Sequence, residues 1–240
     1  MQKYRATIRF GNAHDVPEIS DLEKRVWESR GVAPVDEAML RIWLATHSRG
    51  FLVGEYEGRI RGYAYFEHLS YDINTLTADW PPAHAPMTKR HHDTSGNAMY
   101  GISAAADLAG LGSQLFLRIL ELGGQDKKTH LATLIRMQGL ARFLAKVRDE
   151  FPTARQYTDM ELATWYAMRC VSQEGGSVTE SLADNSPPVF FPARIQKDPV
   201  LTYPTRVAHM TLHAVVPSSF TDAESASLLA LATFPALRTE

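Results

Sequence analysis

The chain has a single cysteine, Cys170, in 240 residues. That excludes an intrachain disulfide framework and a multi-cysteine zinc site, and leaves Cys170 to be read as a small, half-buried apolar residue. Charge of one sign is also missing. With 25 Lys and Arg against 27 Asp and Glu the formal net charge is -2, and no basic stripe of a dedicated nucleic-acid binder is visible. No window approaches the roughly 20 apolar residues that cross a bilayer, and the opening MQKYRATIRF has no apolar leader stretch. The expectation is a cytoplasmic protein with neither nucleic acid nor membrane as partner. Two nucleotide signatures are absent as well. There is no Gly-Lys-Ser/Thr for a phosphate loop, and the glycine-rich turn is not in a first βα unit with an acid about 20 positions on.

What the chain does have is 45% hydrophobic residues, enough to bury a core. YRATIRF (4–10) alternates as a strand. Asp15 and Pro17 open a helix that places Ile19, Leu22, Val26 and Trp27 on one face. A second helix runs from Asp36 to His47, with Leu40, Trp43 and Leu44 on one side. FLVGEYEGRIRGYAYFEH reads as a hairpin turning at Glu57 and Gly58. Residues 69–98, with Pro81, Pro82, Pro86 and TKRHHDTSGN, form a long insertion, either a flexible cover or a functional loop. AMYGISAAA is the next strand, SQLFLRILELGG a helix and HLATLIR (130–136) a strand buried on both faces. Helices follow at 141–151 and 158–172, then a strand at 207–216. TDAESASLLALATF reads as a capped amphipathic helix, giving a body of 1–218 and a C-terminal helix of 219–240 that packs on the body or on a second copy in a homodimer. The order implies an α/β fold with a central mixed sheet and helices on its faces.

Between AMYGISAAA and the following helix lies DLAGLGS, with Ala109, Gly110 and Gly112 in place of larger residues. A strand that turns through small residues into a helix aims backbone amides outward and adds the positive end of the helix dipole. Side chains at 109, 110 and 112 would keep a phosphate from those amides. The same letters also suit a tight strand-to-helix packing turn. His91, His92 and Asp93 do not read as a metal site, since adjacent histidines point apart and no further ligand is evident; no metal is expected.

The stretch from Ala6 to about Gly176 resembles the GNAT acyltransferase superfamily. Asp107-Leu-Ala-Gly110-Leu-Gly112 stands at that family's Arg/Gln-x-x-Gly-x-Gly/Ala motif, with Asp107 in place of Arg or Gln. IRFGNAHDVPEISDLE and GEYEGRIRGYAYFE are similar to its first strand and helix and to its next two strands. The resemblance implies a mixed, mostly antiparallel sheet of six to seven strands with helices on both faces. It also implies a coenzyme-A-dependent acyltransferase using acetyl-CoA or another short acyl-CoA. The pyrophosphate would lie on the amides of Leu108, Ala109, Gly110, Leu111, Gly112 and Ser113, and a backbone NH near Ile102 or Ser103 would polarise the thioester carbonyl. Tyr166 stands where the family takes its acid for the departing thiolate. Glu67 and His68, at the end of the third strand with Asp72 behind them, are the base candidates.

LEKRVW with Trp27, His92-Asp93 with Gly96, GLGSQLFLRIL and LIRM are similar to one branch, the GNAT-like loading and decarboxylase domains of polyketide synthesis. That likeness implies an acyl carrier protein as acceptor and Trp27 in the acyl pocket; a small amine acceptor or an inactive scaffold is the alternative. Ile135 stands where the branch has threonine, and no histidine occurs between His130 and His209, so the expectation is that decarboxylation is lost or rebuilt from other groups, Thr133 and Cys170 being the nearby polar substitutes.

Overall fold

The computed structural model describes residues 6–73, 92–218 and 222–237. Their strands and helices fall into two compact units. One holds residues 6–71, 92–131 and 236–237, and the other residues 72–73, 132–218 and 222–235. The unit boundary thus falls inside the expected body of 1–218.

The first unit is an antiparallel ladder in the order β1 (Thr7–Phe10), β2 (Phe51–Tyr56), β3 (Arg59–Leu69) and β4 (Ala98–Ala106). Alternation sends successive side chains to opposite faces. On one face Val53, Tyr63 and Tyr65 pack against Val16, Ile19, Leu22 and Val26 of α1 (Val16–Trp27) and Leu40 and Trp43 of α2 (Glu37–Thr46). On the other face Gly54 and Gly62 stand opposite each other. A Cβ on either would come within 2.6 or 2.9 Å of the Leu111 side chain, so their bareness admits the start of α3 (Leu111–Gln125). Asp15 sits at the head of α1 as expected but makes no side-chain cap; its carboxylate instead takes Arg9 at 2.8 Å through each oxygen. The expected insertion at 69–98 lies mostly outside the described residues. Its base is closed by Asn97, which accepts from the Tyr71 NH at 3.0 Å and donates to the Tyr71 carbonyl at 2.9 Å.

The second unit holds its strands in the order β5 (His130–Arg136, the first two residues of which belong to the first unit), β8 (Leu228–Pro235), β7 (Thr211–Pro217) and β6 (Ser177–Val178). The β7–β8 pair is antiparallel and the β6–β7 pair parallel. Its helices are α4 (Leu140–Glu150), α5 (Asp159–Gln173), α6 (Glu180–Ala183) and α7 (Pro199–Ala208). Helix α5 starts in a full capping box between Thr158 and Glu161. Buried Arg136 ion-pairs with Asp222 and reaches Glu224 at 2.9 Å, tying the turn before β8 to β5.

Two expectations are corrected here. The expected amphipathic helix over 219–240 is not found among its described residues, 222–237: LLALATFP forms β8, and Leu228 to Phe234 are all buried, which suits an interior strand and no surface helix. The last expected strand begins at Thr211 and not at 207, because α7 runs to Ala208 and His209 ends it at φ 51°. Eight strands are present among the described residues, against six to seven expected; the two-residue β6 and β8 were not foreseen. The mixed α/β sheet architecture with flanking helices stands as expected.

Candidate functional site

The turn Asp107–Gly110 leads from β4 into α3 along a cleft of about 500 Å³, which is also lined by Val26, Trp27, Arg30, Ala105 and Ser113. Gly110 takes φ 81°, the left-handed region that favours glycine, and no side chain caps the helix. The NH groups of Leu108, Ala109, Gly110, Gly112 and Ser113 have no acceptor among the described residues. The Leu111 NH is bonded to the Leu108 carbonyl at 3.1 Å, and its side chain is fully buried. Leu111 therefore anchors the turn, and of the six amides expected to face an anion, it is the one already spent. A Cβ on Gly112 would meet only the Ala106 Cβ, at 3.9 Å, and one on Gly110 nothing within 4 Å. The fold does not need Gly112 to be bare for its own packing, so the open space belongs to the cleft.

Asp107, which stands where the motif it resembles has Arg or Gln, does not present a free carboxylate to this space. Arg61 Nε donates to its Oδ1 at 2.6 Å and Arg25 Nε to its Oδ2 at 3.3 Å. With Arg30 in the cleft wall, its guanidinium 5.6 Å from the centre of the Trp27 ring, the mouth holds more positive than negative charge. Sequence reading missed these three arginines. Arg25 and Arg30 flank Trp27 in KRVWESR, but only the fold brings Arg61, from β3, to Asp107.

Trp27 is half-buried in the cleft wall, and its Nε1 donates to Glu23 at 3.0 Å. Ile102 lies at a bulge: Tyr65 is paired with Ser103 and Phe66 with Gly101, so Ile102 has no partner on β3. Ser103 is half-buried beside it.

The base candidates are elsewhere in the first unit and do not line this cleft. Glu67 is fully buried; its Oε1 accepts from Tyr65 OH at 2.7 Å, its Oε2 has no hydrogen-bond partner among the described residues, and burial raises its pKa. His68 packs against His47, tilted with ring centres 4.6 Å apart, and stacks on His92 at 5.7 Å. Burial, aided by the neighbouring positive charges, pushes His68 down to about 4 and His47 to about 3. Neutral, stacked imidazoles of this kind pack the end of β3. Among the described residues no group of three His, Cys, Asp or Glu has the geometry to hold a metal ion. His91 lies outside those residues.

In the second unit, Tyr166 is buried and donates to Asp198 Oδ2 at 3.1 Å; burial, with Cys170 and Asp198 nearby, raises its pKa. The same Asp198 oxygen takes the Gly139 NH at 2.8 Å, while the other oxygen caps α7. Cys170 is buried more fully than expected, and its thiol is pushed up to about 12. No helix among the described residues is long and apolar enough to cross a membrane.

No family model matches the sequence, and no curated protein does. Solved structures do. The GphF GNAT-like decarboxylase, in complex with isobutyryl-CoA, overlaps 96% of this chain and 100% of its own, with a TM-score of 0.66 at 17% identity. The loading GNATL domain of CurA from Lyngbya majuscula covers 96% and 98%, at 0.62 and 15%. Ard1 from Thermoplasma volcanium covers 97% and 99%, at 0.50 and 12%. With its strand order, its helix-opening glycine turn and these chain-long overlaps, the chain has the fold of the GNAT superfamily.

Proposed function

We propose that the chain is a coenzyme-A-dependent acyltransferase that moves a short acyl group from its thioester to the pantetheine thiol of an acyl carrier protein. One observation carries the reading: five residues whose peptide NH groups have no acceptor among the described residues, around a left-handed glycine, line a cleft where Gly112 leaves room that its own packing does not use. Unpaired amides at a helix start suit a diphosphate. Arg25 and Arg61 offset the charge of Asp107, and Arg30 adds a cation at the mouth. Leu108, Ala109, Gly110, Gly112 and Ser113 would hold the pyrophosphate. The bulged backbone at Ile102 and Ser103 would lie along the thioester carbonyl, and Trp27 would wall the acyl group. The preference for a carrier-protein acceptor over a small amine comes from the resemblance of LEKRVW, GLGSQLFLRIL and LIRM to the loading branch.

A thiol acceptor also needs less help from a base than an amine, since its pKa lies nearer neutral. The test is incubation with acetyl-CoA and malonyl-CoA in parallel, with a holo carrier protein and with small amines, read by intact mass. An acetylated carrier is expected from acetyl-CoA, and no decarboxylation of the malonyl group. Ile135 and the lack of any histidine between His130 and His209 favour a second reading, a fold kept as a scaffold. Binding of acetyl-CoA with no acylated product from any acceptor would establish it.

A further inference from the structure

Glu23 stands on the core-facing side of α1, one turn before Trp27, and is 1% exposed. Its Oε1 accepts from Tyr63 OH at 2.8 Å and from Trp27 Nε1 at 3.0 Å, and its Oε2 from the Val35 NH at 2.8 Å. These three donors, from β3, from α1 itself and from the segment after it, are the groups that face the carboxyl; no Lys, Arg or His among the described residues hydrogen-bonds or ion-pairs with it. The Tyr63 oxygen is also 2.8 Å from Ser103 Oγ. A phenol has one proton. Given to Glu23, it leaves the Tyr63 oxygen able only to accept, so Ser103 must donate to it. The Ser103 lone pairs are then free, on a half-buried residue next to Ala104 and Ala105 of the cleft wall. A buried carboxylate is joined by two hydroxyls in file to a half-buried residue that neighbours the cleft wall in sequence.

Resting on the acyltransferase reading, we infer that Glu23 drains the acceptor's proton through Tyr63 and Ser103. The acceptor thiol gives its proton to Ser103 Oγ as Ser103 passes its own to Tyr63 and Tyr63 passes its own to Glu23 Oε1. The freed sulfur pair forms the bond to the thioester carbon, the carbon–sulfur bond to coenzyme A breaks, and the departing thiolate recovers a proton along the same file. Ser103 is the catalytic residue; Tyr63 and Glu23 act through it as positioning residues. Burial raises the Glu23 pKa against the three donors that lower it, so the rate should climb with pH as Glu23 ionises.

The test uses the full chain with acetyl-CoA and pantetheine. Tyr63→Phe should lower kcat by about 10²- to 10⁴-fold while the KM for acetyl-CoA stays within about twofold. Glu23→Gln should do the same and flatten the acid limb of the kcat/KM profile, and Glu23→Asp should restore that limb. Without any ligand, wild-type stability to urea should fall as pH rises from the ordinary carboxylate range through the raised Glu23 value, since ionisation costs more in the folded chain; Glu23→Gln should lose that dependence. Full kcat in Tyr63→Phe, or an acid limb that vanishes in Glu67→Gln and persists in Glu23→Gln, would overturn the relay while leaving acetyl-CoA binding intact. Absence of acetyl-CoA binding by the wild-type chain would overturn the parent reading and the relay together.

Discussion

Replacing Gly112 separates what the fold needs from what a ligand needs. The residue lies in the first turn of α3, its φ is not positive, and an added Cβ would touch only Ala106 at 3.9 Å. Alanine is favoured over glycine in a helix by about 0.5–1 kcal/mol, so Gly112→Ala should melt at or slightly above the wild-type temperature. Gly112→Val, slower to enter a helix but with the same unobstructed Cβ, should melt within about 2 °C of wild type. Acetyl-CoA at about 100 times its dissociation constant adds roughly 2.7 kcal/mol, which for a chain of this length is a rise of about 5–10 °C. Valine in the cleft should remove that rise. A 100-fold loss of affinity leaves ligand equal to its dissociation constant, about 0.4 kcal/mol, or roughly 1–2 °C. Differential scanning fluorimetry with titration calorimetry reads both quantities. Gly112→Val with the full ligand shift would refute the anion role of the turn. A collapse of its ligand-free melting temperature would refute the open space on which the reasoning rests.

Arg61→Met leaves Asp107 with Arg25 alone and should weaken acetyl-CoA several-fold at about 0.05 M salt, with a smaller effect near 1 M, where exposed charges are screened within about 3 Å; equal loss at both would mean that the change acts through packing. His47 and His68 have folded pKa values below that of a free histidine, so their share of stability is present above about 6.5 and lost as pH falls toward about 3 and about 4, respectively. Urea titrations from pH 7.5 to 4 should show that decline, and His47→Phe should flatten it. Tyr166→Phe removes one donor from Asp198 and should cost about 1 kcal/mol with turnover unchanged within a few fold; a 100-fold fall in kcat would make Tyr166 the thiolate acid.

The hairpin, α1, α2, α3 and the glycine turn are legible in the letters because each is encoded within a short window by periodicity and turn chemistry. The tail is different. SASLLALATF is rich in Leu and Ala, good helix formers, yet what decides its state is pairing with β7 and burial along nearly its whole length, which no window of the sequence contains. The helix Pro199–Ala208 was missed because Pro204 sits inside it and breaks the expected pattern. At the turn, the small residues are legible in the letters, and the spent Leu111 NH is not, since an inward-facing turn bond depends on where the Leu108 carbonyl points. Glu23 was overlooked although it carries a signal: an acid at i+4 from Ile19, in phase with the buried face of its helix. Glu67 and His68 have the right residue types, but the register of β3 buries both.

Gly54 and Gly62, two bare positions on neighbouring strands, form the socket into which Leu111 is keyed. The altitude of the amide ring above the sheet is therefore dictated from beneath, by residues some 50 positions upstream that never meet a ligand. A single methyl at 62 would act as a shim under the helix, so a defect in acyl-thioester affinity would be expected from a position that does not itself line the cleft.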